Sequence, residues 1–192
     1  MSENPYLTLV LGGARSGKSA HAEGLIEKYP APWSYIATAQ AFDSEMSARI
    51  AAHRERRGDG WVTVEAPLEL ARAVSEAPAD RAMLVDCLTL WLSNRLLARA
   101  DLSAERVELV AALRRRAGPT VVVSSEVGLS IVPENALARA FRDAAGELHQ
   151  AVARISGRVV LTVAGYPLTV KDMARQGRFG RISPQKRTTG QI

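Results

Sequence analysis

The stretch that decides the fold is LTLVLGGARSGKSAHAE, residues 7–23. An apolar run over 7–11 passes directly into Gly12-Gly13-Ala14-Arg15-Ser16-Gly17-Lys18-Ser19, and a helix-forming segment follows. The run satisfies G-x-x-x-x-G-K-S/T in a strand-to-helix setting, which is the context that gives this pattern meaning. The glycines let the backbone fold tightly, so that successive N–H groups point at phosphate oxygens. The helix adds its positive N-terminal end. Lys18 is then expected to reach the β- and γ-phosphates of a nucleotide, and Ser19 to offer its hydroxyl to Mg2+. The plain alternative is a glycine-rich turn that binds nothing.

A loop of this kind needs a carboxylate on a core strand to help hold the metal, and AMLVDCL (82–88) supplies Asp86. An acid at the end of an apolar strand is costly unless solvated or paired, which favours a metal-linked role. The alternative is an N-cap, because a helical segment begins just beyond.

The remaining chain alternates apolar runs with helical patterns, as βαβ units of a parallel sheet do. Strands are expected at 6–11, 33–37, 62–64, 82–86, 120–124 and 158–164, and helices at 18–29, 44–57, 67–77, 89–99, 103–117 and 134–156. Ser103 is the expected N-cap of the fifth helix, and Gly118-Pro119 its stop. Several strands are continuously apolar, which fits burial on both faces of the sheet.

Bulk properties bound the function. With 192 residues the chain suits one α/β domain. Its single cysteine, Cys87, excludes an intrachain disulfide and a cysteine-based zinc site, and points to a reducing cytoplasm. No run reaches the roughly 18 apolar residues of a membrane span, and the N-terminus lacks the basic region of a leader. The net charge of +5 belongs to the tail. Residues 1–170 hold 19 Lys/Arg and 19 Asp/Glu, whereas 171–192 hold six basic residues and one acid. We therefore expect a catalytic domain over 1–171 and a basic, disordered tail over 172–192. A neutral domain with 5% aromatic residues is a poor candidate for nucleic-acid binding, which needs a basic groove with stacking platforms.

SARIAAHRERRGDGW (47–61) is the second chemical signal. At helical spacing Met46, Ile50 and His53 share one stripe, the position of an ordinary histidine at the edge of a core. Yet Arg49 and Arg57 lie four residues to either side, with Arg54 and Arg56 alongside, and such a cluster repels itself unless an anion is near. Glu45, Glu55 and Asp59 answer part of that charge, so a solvated face is the competing interpretation. A neutral imidazole can attack an α-phosphate and expel pyrophosphate. With an unperturbed pKa of about 6.5, histidine has that form available at neutral pH. Flanking arginines would push that pKa downward, favouring the free base, and could clamp phosphate oxygens.

Taken together, GGARSGKSAHAE, YIATAQAFDSEMSARIAAHRERR with Trp61 and Glu65, LVDCLT, and SSEVGLSIVPENALARAFRDAAGELHQ resemble the bifunctional adenosylcobinamide kinase/adenosylcobinamide-phosphate guanylyltransferase family of cobalamin biosynthesis. The resemblance runs from about residue 7 to about 171. It implies an α/β, RecA-like P-loop NTPase fold, a mostly parallel sheet flanked by helices, assembled as a homotrimer. It implies ATP or GTP as phosphoryl donor to adenosylcobinamide, GTP as guanylyl donor, Mg2+, and adenosylcobinamide phosphate as second acceptor. The family motif R-I-x-x-H-R/K maps the guanylylated histidine onto His53. Gly12, Gly13, Ala14, Arg15, Ser16, Gly17, Lys18 and Ser19 fall at the phosphates, Lys18 with a catalytic role. Ala37, Thr38, Ala39, Arg54, Glu55, Arg56, Arg57, Glu65 and Asp86 would complete the nucleotide site, with Ser19 and Asp86 at the metal. Some members carry a histidine pair where this chain has Ala52-His53. Pro133 to Asn135 and the segment 134–156 read plainly as a loop and an amphipathic helix covering the sheet, and Glu126 or its loop either contacts the corrinoid or does not. The rival functions are a RecA-like ATPase module and a small-molecule kinase with a single activity, which would leave His53 unused.

Overall fold

A computed structural model describes residues 3–40, 51 and 58–174. The elements are β1 (Asn4–Gly12), α1 (Lys18–Ile26), β2 (Trp33–Ala37), β3 (Trp61–Glu65), α2 (Leu70–Glu76), β4 (Met83–Asp86), α3 (Leu88–Leu97), α4 (Leu102–Arg115), β5 (Thr120–Ser125), α5 (Ala136–Ile155), β6 (Ser156–Val163) and β7 (Tyr166–Asp172). The strands form one sheet in the order β3-β2-β4-β5-β1-β6-β7. All neighbours pair in parallel except β6 and β7, which are antiparallel. This is the RecA-like P-loop arrangement expected from the sequence.

The central strands are apolar on both faces because helices cover both. Successive residues of one strand feed opposite cores. Leu9, Val85 and Val122 join Leu70, Leu88, Trp91, Leu113, Leu148 and Val152 on the face carrying α2 to α5. Val10, Leu84, Val121 and Val123 join Ala22 and Ile26 of α1 on the other. Truncating a fully buried leucine such as Leu84 to alanine costs about 2–5 kcal/mol in such a setting.

Two polar staples fasten the end of the sheet remote from the phosphate loop. Arg116, 7% exposed, donates from Nη1 to the Ala77 carbonyl at 3.0 Å and from Nη2 to those of Pro78 at 2.9 Å and Arg81 at 2.6 Å. Its Nε donates to Thr120 Oγ1 at 3.1 Å. The turn before β4 is thereby tied to the turn before β5. Asn4 Nδ2 donates to the carbonyls of Leu113 and Arg116, joining the start of β1 to the end of α4.

Three expectations change. The N-cap of α4 is Asp101, not Ser103. Its carboxylate accepts from the N–H groups of Ser103 and Ala104, so Leu102 already lies inside the helix. α1 ends at Ile26 rather than 29, because Tyr29 precedes Pro30 and the helical region is disfavoured there. The seventh strand was not foreseen, and it ends at Asp172, one residue beyond the expected domain limit. Apart from residue 51, which is helical, the expected helix over 44–57 lies outside the described residues, as does the basic tail beyond 174. No helix among the described residues is long and apolar enough to cross a membrane.

Candidate functional site

Parallel register brings the carboxyl ends of the strands into one row. Glu65 pairs with Ala37, Ala37 with Asp86, and Asp86 with Val123. Gly12 pairs with Ser125 on one side and Thr162 on the other. Ligands of open α/β sheets bind beyond this edge, and the sequence-identified Gly12, Ala37, Glu65 and Asp86 all end strands there.

The phosphate loop leaves β1 at Gly12 and enters α1 through Gly17, whose φ of +90° is open to glycine but strained for other residues. Arg15 is also left-handed, with φ +54°. Ser16 N–H donates to the Gly13 carbonyl at 3.3 Å, and Lys18 Nζ reaches back to the same oxygen at 3.1 Å. Two neighbours brace the loop. The Glu126 N–H donates to Gly12 O at 3.0 Å, and the Gly165 N–H, from the β6–β7 turn, donates to Ser16 O at 2.9 Å. The hydroxyls of Ser16 and Thr162 are buried without a hydrogen-bond partner among the described residues. A cleft of about 650 Å³ opens beside Gly13, Ala14, Arg15 and Ser16, walled by Glu126, Val127, Leu129 and Ser130 and by the end of β6.

Asp86 is placed by a second set of contacts. Its Oδ2 accepts from the Tyr35 hydroxyl at 2.8 Å. Helix α3 is entered through Cys87, one residue later. Thr38 is fully buried and occupied in holding this corner: its Oγ1 donates to the Cys87 carbonyl at 2.7 Å and accepts from the Cys87 N–H at 2.8 Å. Its own carbonyl accepts from Asn94 Nδ2 at 2.9 Å. Ala37 and Ala39, on either side, are partly exposed at the same edge, and Glu65 is exposed. Burial pushes the Cys87 thiol pKa up, with the Asp86 charge adding to the rise and Thr89, Leu90 and Lys18 opposing it.

Ser19, at the start of α1, and Asp86 are hard oxygen donors, the chemistry Mg2+ accepts alongside phosphate oxygens and water. The two donors fit that ion. His53, Arg54, Glu55, Arg56 and Arg57 lie outside the described residues.

Sequence reasoning passed over one constellation. His149 on α5 is 7% exposed, and its Nε2 lies 2.7 Å from Ser124 Oγ. Its Nδ1 lies 3.9 Å from Glu126 Oε2. Burial lowers the imidazole pKa, and the nearby Glu126 charge partly offsets this. The signal was present: His149 sits on the inward stripe of Ala145, Leu148, Val152 and Ile155, where a polar residue needs a reason.

Comparison with known proteins agrees with this geometry. Residues 8–170 match the family described as cobinamide kinase / cobinamide phosphate guanyltransferase. The bifunctional adenosylcobalamin biosynthesis protein CobP of Pseudomonas aeruginosa is 52% identical over 166 residues, covering 85% of this chain and 96% of its own. Among solved structures, the flagellar accessory protein FlaH of Methanocaldococcus jannaschii superposes with TM-score 0.54 at 12% identity, covering 90% of this chain and 81% of its own. An ATPase of a type III secretion system of pathogenic bacteria superposes with TM-score 0.52 at 13% identity, covering 92% and 54%. These two speak for the fold alone. A phosphate loop, an acid two strands away and a sequence match over most of the chain converge: the chain belongs to the cobinamide kinase / cobinamide phosphate guanyltransferase family.

Proposed function

We propose that this enzyme phosphorylates adenosylcobinamide with ATP or GTP, and then carries GMP from GTP through His53 to adenosylcobinamide phosphate, giving adenosylcobinamide-GDP. The observation that carries the reading is the row of strand ends that sets Asp86 at the same edge as the phosphate loop, in a chain of this family. Backbone N–H groups of residues 12–19 and the N-terminus of α1 bind the phosphates, and Lys18 neutralises charge that develops on the γ-phosphoryl group. Ser19 and Asp86 hold Mg2+, which supplies electrostatic stabilisation to the phosphate oxygens.

In the first reaction the terminal hydroxyl of the aminopropanol arm attacks the γ-phosphorus and the nucleoside diphosphate leaves. In the second, a His53 ring nitrogen bonds to the α-phosphorus of GTP and pyrophosphate departs. The phosphate of adenosylcobinamide phosphate then attacks the same phosphorus, and the histidine is released. Arg54, Arg56 and Arg57 steady the phosphate oxygens, while Ala37, Thr38, Ala39, Glu55 and Glu65 complete the nucleotide site. We further place the enzyme in the cytoplasm as a homotrimer, with the basic tail that follows β7 outside its catalytic domain.

The test uses GTP labelled in its α-phosphate, with Mg2+. Denatured protein should retain label that is acid-labile and alkali-stable, as a phosphoramidate is. Active wild-type protein without label would leave only a single-activity kinase. Lys18→Ala should abolish phosphorylation of adenosylcobinamide, whereas His53→Ala should keep it and lose the label.

A further inference from the structure

The cleft beside the phosphate loop contains a carboxylate for which the proposed nucleotide contacts give no role. Glu126 follows β5 directly, is pinned through its N–H to Gly12 O, and lines the cleft together with Gly13, Ala14 and Ser16. Its side chain is held from two sides. Oε1 accepts from the Gly128 N–H, and Oε2 faces His149 Nδ1 at 3.9 Å. His149 is itself fixed, because its Nε2 lies 2.7 Å from the Oγ of the fully buried Ser124. The arrangement that serves both ring nitrogens has the Ser124 hydroxyl donating to Nε2 and Nδ1–H turned towards the carboxylate. Leu129, which lines the same cleft, and Ile131 and Val132 just beyond it in the chain are exposed and apolar, a lip for the organic part of an acceptor.

We propose that Glu126 is the general base of phosphoryl transfer and that His149 is its positioning residue. The inference rests on the phosphoryl transfer from nucleoside triphosphate to substrate hydroxyl proposed above. The hydroxyl oxygen forms a bond to the γ-phosphorus, and the bond from that phosphorus to the β–γ bridging oxygen breaks. The nucleoside diphosphate leaves with the electron pair, and the hydroxyl proton passes to the Glu126 carboxylate and then to solvent. A base must stand within hydrogen-bond reach of the attacking hydroxyl, and among the described residues Glu126 is the carboxylate that shares a cleft wall with the loop. His149 cannot take the proton itself, since it lies beneath Glu126 and is almost wholly buried. Its task is to stop the carboxylate swinging out of the cleft.

The experiment compares Glu126→Gln, His149→Ala and His149→Asn with wild type in steady-state phosphorylation of adenosylcobinamide, alongside GTP affinity and urea midpoints. Glutamine keeps an oxygen for the Gly128 N–H, so the loop is preserved and only the base is lost. Glu126→Gln should lower kcat by about 10²–10⁴-fold, with GTP affinity unchanged. His149→Ala should lower kcat with little change in KM, and His149→Asn, whose amide N–H stands near the place of Nδ1–H, should restore most of the loss. Wild-type protein that transfers no phosphoryl group overturns the proposed function and this inference with it. Active wild type with full activity in Glu126→Gln overturns the inference alone. Equal losses in the alanine and asparagine variants overturn the role of His149.

Discussion

Replacing Gly12 by alanine puts a Cβ 2.4 Å from Ser16 Oγ and 2.7 Å from the Thr162 carbonyl oxygen. The serine can rotate away. The carbonyl cannot, because Thr162 is the β6 register partner of Gly12 and its movement would open the β1–β6 pairing. Overpacking of this kind costs about 1–3 kcal/mol. For a chain of this length each kcal/mol lowers Tm by roughly 2–4 °C, so Gly12→Ala should melt about 2–12 °C below wild type. Gly13, its neighbour, is the control, since a Cβ there meets nothing within 4 Å. Gly13→Ala should unfold within about 0.5 kcal/mol of wild type. Its methyl would nevertheless stand at the wall of the cleft, where a phosphate should approach the backbone. Loss of one such contact, about 1–2 kcal/mol, would weaken GTP binding roughly five- to thirtyfold. Thermal and urea unfolding followed by circular dichroism, with GTP titration of both proteins, separates the two effects. Equal stability of the two variants, or a destabilised Gly13→Ala that binds GTP normally, would refute the placement of the loop.

Arg116→Met should cost about 2–4 kcal/mol in urea unfolding, because several buried acceptors lose a charged donor at once; a change below about 1 kcal/mol would show that the staple carries no weight. Asp101→Ala and Asn135→Ala should each cost about 1 kcal/mol through the lost caps of α4 and α5, and the double variant should show the sum. Native-like urea midpoints in both single variants would dismiss the caps. Burial lowers the pKa of His149 and of His21 in the folded state, so below an unfolded value of about 6.5 the unfolded chain takes up protons more readily. Stability is therefore fully present above that pH and declines as pH falls towards the folded pKa values, with Glu126 softening the slope at His149 and Arg158 and Lys28 sharpening it at His21. Urea midpoints between pH 5 and 8 should flatten when both histidines are replaced by asparagine. An unchanged slope would contradict the assignment.

What was legible in the sequence were features that a local pattern can encode. AMLVD and TVVVS read as strands because burial on both faces leaves no polar alternation, and GGARSGKS reads as a phosphate loop because its glycines follow a strand. The row joining Glu65, Ala37 and Asp86 was not legible, since the neighbours of each strand are chosen by packing between distant segments. β7 escaped for a different reason. YPLTVKD alternates Tyr166, Leu168 and Val170 as a strand does, but it has no buried residue and carries Pro167, which argues against a sheet position other than an edge. Asp101 and Ser103 are both good caps by residue type, and only the backbone path decides between them. Glu126 and His149 were visible as unusual letters, but the contact between them depends on where α5 lies on the sheet.

The hydrogen bond from Gly165 to Ser16 has a consequence for synthesis. The phosphate loop is among the first segments to leave the ribosome, yet its outer brace comes from the turn between the last two strands, about 150 residues later. Gly17 and Gly165, both at positive φ, meet so closely that a Cβ on the first would lie 3.3 Å from the Cα of the second. A nascent chain can therefore fold its central strands early but cannot finish the cradle until β6 and β7 have emerged. If nucleotide binds the finished loop as proposed, it should also stabilise the β6–β7 turn that braces it.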